Sequence, residues 1–164
     1  MNFLPIPTRC NYASPLGPMV LAAQQHALVG VWFDGQQHQP EWAQWPTNHH
    51  HPVLVQTAQQ LDAYFAGTLR QFDLPLDMTH GTPFQQSVWR ALCDIEAGGT
   101  VSYGTISQRI GKPKAVRAVG AAIGRNPLGI VVPCHRVVGA NGALTGYAGG
   151  LDKKNALLQL ESRF

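Results

Sequence analysis

Between Thr8 and Phe33 the apolar residues fall into three short runs, broken by Ser14-Pro15-Leu16-Gly17-Pro18 and by Gln25-His26 and closed by Asp34-Gly35. Short runs bounded by turn residues read as strands, so the pattern predicts a three-stranded antiparallel meander near residues 8–13, 18–24 and 27–33. Residues 36–51, with Gln, Trp, Pro and the run His49-His50-His51, read as a loop. Pro52 suits a first helical position, and Leu54, Ala58, Leu61 and Phe65 recur at helical spacing up to Gly67. Phe72, Leu74 and Leu76 alternate, which predicts one more strand. Residues 77–83 are linker-like and place a domain boundary between 1–80 and 81–164.

The second half changes to a helical period. Thr82 and Gln85 make a capping box around Pro83, and Phe84, Val88, Leu92 and Ile95 form a stripe that Gly98-Gly99 ends, with Cys93 packed beside it. Ser102 caps a helix from Tyr103 to Ile110, and Pro113 is expected to open a second helix running to Arg125, with only Gly111 and Lys112 between them. This spacing is that of a helix-turn-helix. Val116, Val119 and Ile123 form one face of the second helix, and Lys114, Arg117, Ala121 and Arg125 another. Ala115, Ala118, Gly120, Ala121, Ala122 and Gly124 make the helix small-sided, which fits close approach to a neighbouring helix or to a nucleic-acid groove. Gly139-Ala140-Asn141-Gly142 is a turn, Gly146-Tyr147-Ala148-Gly149-Gly150 a loop, and Leu151 to Glu161 a terminal helix.

Between these helices Ile130-Val131-Val132 reads as a short buried strand that Pro133 stops just before Cys134-His135-Arg136. A thiol presented there, with an imidazole and a guanidinium beside it, is expected to have a lowered pKa and nucleophilic character. A buried structural cysteine is the alternative.

Composition narrows the setting. The 164 residues are 45% hydrophobic, sufficient for an ordinary core, and no apolar run reaches membrane-spanning length. Three cysteines, Cys10, Cys93 and Cys134, cannot all pair and show no C-x-x-C spacing, so free thiols and a cytoplasmic location are expected. The net charge of +3 is unevenly spread: residues 1–80 hold two basic against five acidic side chains, and residues 81–164 ten against four. The basic half is a candidate polyanion-binding unit. Three consecutive histidines diverge, so no metal site is expected, and His26, His38 and His80 read as surface or turn residues.

Pro133-Cys134-His135-Arg136-Val137-Val138, with Ser102-Tyr103, Arg117-Ala118-Val119-Gly120 and Arg125-Asn126-Pro127 before it and Gly146-Tyr147-Ala148-Gly149-Gly150-Leu151 after it, resembles the O6-alkylguanine-DNA alkyltransferases, the methylated-DNA–protein-cysteine methyltransferases. The likeness covers residues 82–161 closely and the first 80 loosely. It implies an α/β chain: a ribonuclease-H-like α+β domain, then a mainly helical domain with a winged helix-turn-helix that enters the minor groove of double-stranded DNA. The implied reaction is direct, stoichiometric and irreversible transfer of an alkyl group from O6-alkylguanine, or O4-alkylthymine, to Cys134. His135, through a water, and Glu161 activate the thiol, and Asn126 ties the recognition helix to the active-site strand. Arg117 fills the gap left by the flipped base. Tyr103 helps rotate the nucleotide and protonates the leaving base, and Tyr147 with Gly149 walls the pocket. Backbone groups of Cys134, Val137 and Ala148 read the base edge. Ser102, Lys114, Ala115, Ala118, Gly120, Ala121 and Arg125 complete the DNA surface. No cofactor is implied, and a monomer is expected. Ala148 departs from the serine common in relatives, so a hydroxyl bond to the base oxygen is lost.

Three other classes remain in view. A lesion-flagging relative without repair lacks the nucleophilic cysteine. A transcription factor needs base-reading side chains where this helix has alanine and glycine. A cysteine hydrolase requires only Cys134 and His135.

Overall fold

The computed structural model describes residues 1–164. Strands β1 (Thr8–Ser14), β2 (Gly17–Gln24) and β3 (Ala27–Phe33) form the predicted antiparallel meander, with Cys10 opposite Leu21 and Met19 opposite Phe33. A bulge between Ala22 and Ala23 shifts the β2–β3 register, so Leu28 and Val31, three residues apart, both enter the main core. The opposite face carries Ala22, Val29 and Trp32 against Phe3 and Trp45. Gly30 is required there, since a Cβ at this position would lie 1.8 Å from the Trp32 ring. Helix α1 (Pro52–Phe65) covers the inner face with Leu54, Leu61 and Tyr64. Its N-cap is His51, whose Nδ1 accepts from the Val53 amide at 3.2 Å, so the third histidine of the run starts a helix. His80 is half-buried rather than a free surface residue: its ring lies 4.6 Å from that of Phe3, and its Nε2 is 2.7 Å from Gln24 Oε1.

The strand expected at residues 72–76 does not form. Pro75 has no N–H to give, and the segment makes one parallel bridge, with the Leu28 amide donating to Pro75 O at 2.7 Å and the Asp77 amide to Leu28 O at 2.9 Å. Further along the same edge of β3, the Val31 amide donates to Pro127 O at 2.8 Å and the Gly129 amide to Val31 O at 3.0 Å. The open sheet edge is therefore closed by one segment from each half of the chain. A single apolar core runs through both, joining Leu21 and Leu61 to Trp89, Ile106, Val119 and Leu157.

Helix α2 (Pro83–Leu92) begins with the expected capping box, Thr82 Oγ1 accepting from the Gln85 amide and Gln85 Oε1 from the Thr82 amide. It stops at Leu92, short of Gly98. The Cys93 and Ile95 amides bond three residues back, to Arg90 and Leu92 carbonyls, and the Ile95 carbonyl is taken by the Arg136 guanidinium. Cys93 is therefore an exposed C-cap, not a packed helical residue.

After the short strand β4 (Val101–Ser102), Ser102 caps α3 (Tyr103–Arg109) by accepting from the Thr105 amide at 3.1 Å. Gly111, at φ 73°, ends the turn that follows it. The next helix, α4, spans Val116–Gly124 and starts three residues after Pro113, because the Ala115 amide closes a turn onto Lys112 O at 2.9 Å. Val119, Ala122 and Ile123 form its buried face, whereas Val116, expected there, is exposed. Trp89 Nε1 donates to Ala122 O at 2.8 Å and fixes α4 on α2.

The strand expected at residues 130–132 is replaced by turns. Asn126 Nδ2 donates to Val132 O at 2.8 Å while its Oδ1 accepts from the Leu128 amide at 3.0 Å, so groups a ladder would need are already engaged. Ile130 sits at φ 69°, a left-handed conformation that costs a β-branched residue about 1–3 kcal/mol and persists because its surroundings impose it. Cys134–Arg136 form one turn of 3-10 helix, and β5 (Val137–Val138) pairs in parallel with β4. Helix α5 spans Leu151–Glu161, as predicted. No helix is long and apolar enough to cross a membrane.

Candidate active site and nucleic-acid interface

Cys134 lies at the start of the 3-10 turn, its amide donating to Val132 O at 2.8 Å. It is 7% exposed and opens into a cavity of about 330 Å³ walled by Tyr103, Gly120, Ile123, Thr145, Tyr147 and Gln37. Burial pushes the thiol pKa up, further than the Asn126 hydrogen bond and the Lys154 charge pull it down. The lowered pKa expected from its neighbours is thus absent, and the resting thiol is protonated. A larger cavity, about 510 Å³, lies behind Pro133 between residues 70–76 and 93–97, but no imidazole lines it.

His135 is fully buried, and its Nε2 lies 2.6 Å from Glu161 Oε1. Burial pushes the Glu161 carboxyl up, but hydrogen bonds from His135 and Arg136 outweigh it and bring the pKa to about 2. The carboxylate can only accept, so Nε2 carries the ring proton and Nδ1 holds the lone pair. Burial also lowers the His135 pKa despite Glu161, so the ring rests neutral. Nδ1 has no protein partner, which leaves a buried base available to a proton.

Arg136, read from sequence as a free positive charge beside the thiol, is buried instead. Its Nε donates to Glu161 Oε2 at 2.9 Å, Nη2 to Oε1 at 2.8 Å and Nη1 to Ile95 O at 2.5 Å. Lys154, one of the ten basic side chains of the second half, is fully buried; its Nζ donates to Val137 O at 2.6 Å and Gly146 O at 3.2 Å, joining β5 to the loop over the cavity. The polyanion-facing charge is correspondingly smaller. Two further contributions come from the first half of the chain, where no chemistry was expected: Tyr64 donates its hydroxyl to Glu161 Oε1 at 2.8 Å, and Gln37 lines the cavity while its amide donates to Ala148 O at 3.1 Å. Sequence spacing contains part of this. Lys154, Leu157 and Glu161 recur at three and four residues, so two charged residues sit on the buried stripe of α5.

The remaining candidates divide between cavity and surface. Tyr103 reaches Thr145, whose Oγ1 donates to the phenol oxygen at 3.0 Å, so the phenol proton stays free to be donated. Gly149 sits between two rings, where a Cβ would meet Tyr147 at 2.8 Å and Phe33 at 3.0 Å. Ala148 lines the cavity whereas Val137 is buried behind it, and their carbonyls already accept from Gln37 and Lys154. Arg117, Ala118 and Ala121 are exposed on α4, with Lys114 exposed just before it, Arg125 exposed at its C-cap, and Ala115 and Ser102 partly exposed. A Cβ at Gly124 would meet nothing within 4 Å, and at Gly120 only an ordinary contact with Tyr103, so packing against a neighbouring helix does not explain these glycines.

A model of the 6-O-methylguanine DNA methyltransferase DNA-binding domain matches residues 83–163, and a model of the ribonuclease-like domain of the same proteins matches residues 10–78. A methylated-DNA–protein-cysteine methyltransferase of Mycolicibacterium paratuberculosis is 49% identical over 150 residues, covering 92% of this chain and 89% of the relative. The Methanosarcina acetivorans protein of the same name is 50% identical over 151 residues, covering 92% and 95%. The chain belongs to this methyltransferase family. A crystal structure of Mycobacterium tuberculosis OGT in complex with DNA superposes with a TM-score of 0.88 at 46% identity, covering 95% of this chain and 93% of that one. Within the methyltransferase family frame, the buried Cys134, the neutral His135 and the anionic Glu161 fall in the matched DNA-binding domain, and Tyr64 and Gln37 come from the matched ribonuclease-like one.

Proposed function

We propose that this protein repairs alkylated DNA by moving an alkyl group from the O6 atom of guanine to Cys134, once per molecule. The observation that carries this is a thiol opening into a cavity beside an exposed small-sided helix and next to a buried neutral imidazole. At about 330 Å³ the cavity is at the small end of ligand pockets, which suits one extruded base and an alkyl substituent.

His135 Nδ1 takes the thiol proton through one water, and the imidazolium is stabilised by Glu161. The sulfur attacks the alkyl carbon in line, an S–C bond forming as the C–O6 bond breaks. Tyr103 gives its proton to the departing guanine, and the tyrosinate is reprotonated by way of His135 and solvent. The product is a neutral thioether. No second nucleophile displaces it, so turnover ends there. Release of the alkyl carbon from O4 of thymine follows the same course.

Arg117 stands on the exposed face of α4 and occupies the space the extruded base leaves. Arg117→Ala is expected to slow transfer from duplex DNA at least tenfold while transfer from free alkylguanine stays within twofold, because only the duplex must be unstacked, at a cost of a few kcal/mol. Single-turnover rates on both substrates check this; equal losses would remove Arg117 from the role. Lys114 and Arg125 contact phosphates as the helix lies in the minor groove, so duplex affinity should fall steeply with salt and depend weakly on sequence. Titration of unmodified duplexes over a salt series measures the slope, and a flat response would contradict it.

In this reading residues 1–80 are a ribonuclease-H-like domain and residues 81–164 a DNA-binding domain in which α3 and α4 form a winged helix-turn-helix; the boundaries of the two matching family models support that division. A monomer in the cytoplasm fits three free thiols. The decisive test is a labelled-alkyl oligonucleotide incubated with protein, followed by mass analysis of the peptide containing Cys134: one alkyl group per chain on that cysteine is expected, and hydrolysed or untransferred label overturns the proposal.

A further inference from the structure

Glu161 Oε1 is crowded. It accepts from His135 Nε2 at 2.6 Å, from Arg136 Nη2 at 2.8 Å and from the Tyr64 hydroxyl at 2.8 Å, whereas Oε2 accepts only from Arg136 Nε at 2.9 Å. A carboxylate oxygen offers about two lone-pair sites, so three donors compete for Oε1 and each weakens the others. Tyr64 sits on α1, 97 residues away in sequence, and is fully buried. Its ring is held by Phe65 and Phe72 of the same half, with centroids 5.3 and 5.4 Å away, and by Phe164 at 5.9 Å. The phenol is therefore delivered to the carboxylate by the packing of the first half of the chain.

From this geometry we infer that Tyr64 is a positioning residue for alkyl transfer: its hydroxyl orients Glu161 and weakens the carboxylate's hold on the His135 proton, so the first half of the chain tunes the base that activates Cys134. The inference rests on the Cys134–His135–Glu161 relay proposed above. A carboxylate bonded to three donors stabilises the imidazolium less than one bonded to two, so the phenol keeps His135 neutral and able to accept. The other ionisable groups around Glu161 are Arg136 on the 3-10 turn and, farther away, Cys134, Tyr147 and Lys154; Tyr64→Phe leaves all of them in place.

The test is the single-turnover rate of transfer from a free O6-alkylguanine nucleoside, which requires no base extrusion, followed across the pH range in which histidine titrates. Wild-type protein should gain rate with rising pH, and His135→Gln should lose that limb. Tyr64→Phe, which keeps the ring in its aromatic nest, should move the midpoint up by about half a pH unit, a roughly threefold loss on the acid side with little change at the alkaline plateau. Val29→Ala, a truncation in the separate apolar cluster of Phe3, Trp32 and Trp45, should lower the melting temperature and leave the midpoint in place. An unshifted midpoint in Tyr64→Phe, or an equal shift in Val29→Ala, overturns the role of Tyr64 while the relay stands. A limb that survives in folded His135→Gln overturns the relay and the inference with it.

Discussion

Cys134→Ala is expected to abolish alkyl transfer while duplex binding stays within a few-fold of wild type. The sulfur is the atom that forms the new bond, and neither of the other thiols is placed to substitute. Cys10 is buried in the main core, and burial raises its pKa; Cys93 is exposed at the end of α2, away from the cavity, with its pKa raised first by desolvation and then by Asp94. In the proposed binding mode the duplex lies on the exposed surface of α4, which the alanine does not touch. Cys134 already borders an open cavity, so the added void is small and the stability cost should stay near 1 kcal/mol or below. Labelled-alkyl transfer, a binding titration and a thermal melt of the variant give the three readouts. Stoichiometric label on the alanine variant would move the nucleophile elsewhere.

Glu161→Gln should be the most destabilising conservative change in the molecule, lowering stability by about 3–5 kcal/mol and Tm by on the order of 10 °C. Arg136 is buried with its guanidinium fork on this carboxylate, and an amide would leave that charge unpaired and turn an N–H toward His135 or Arg136. The sign with pH follows from the same bonds. The carboxyl pKa falls from an ordinary 4.5 to about 2 in the folded protein. Its contribution, about 3 kcal/mol by linkage, is therefore fully present above the unfolded value and is lost as pH falls from about 4.5 to about 2. His135, whose pKa burial lowers, adds acid destabilisation that begins below its ordinary 6.5. Thermal melts of both proteins over this range should show a deep acid loss in wild type and a shallower one in the variant. A variant melting within two or three degrees of wild type at neutral pH would show that the carboxylate does not hold the network.

Local pattern predicted the meander, the α1 and α5 helices and the capping box at Thr82 because each depends on neighbours within a few residues: alternation, turn chemistry, a side chain reaching three positions along. It failed where a distant partner intervened. Residues 72–76 alternate like a strand, yet Pro75 withholds a donor and β3 offers only one bridge there. Residues 130–132 are as β-branched as any strand, but Asn126 takes the Val132 carbonyl and Ile130 is turned left-handed. Helix α2 ends at Leu92, where the Cys93 and Ile95 amides bond three residues back, and the Ile95 carbonyl beyond it is held by Arg136, far along the chain.

The same division holds at the site. The Pro133-Cys134-His135-Arg136 run, with Arg117 and Asn126 before it and Tyr147 after it, carries the resemblance to the alkyltransferases and, through it, the expectation of a nucleophilic cysteine beside a nucleic-acid surface. The protonation states of these side chains are set by tertiary structure. Whether Cys134 is thiol or thiolate, whether His135 is neutral, and whether Arg136 and Lys154 face DNA or the interior depend on desolvation and on partners far along the chain. Glu161 meets His135 across 26 residues and Tyr64 across 97, and only the shared core of the two halves brings them within hydrogen-bond distance.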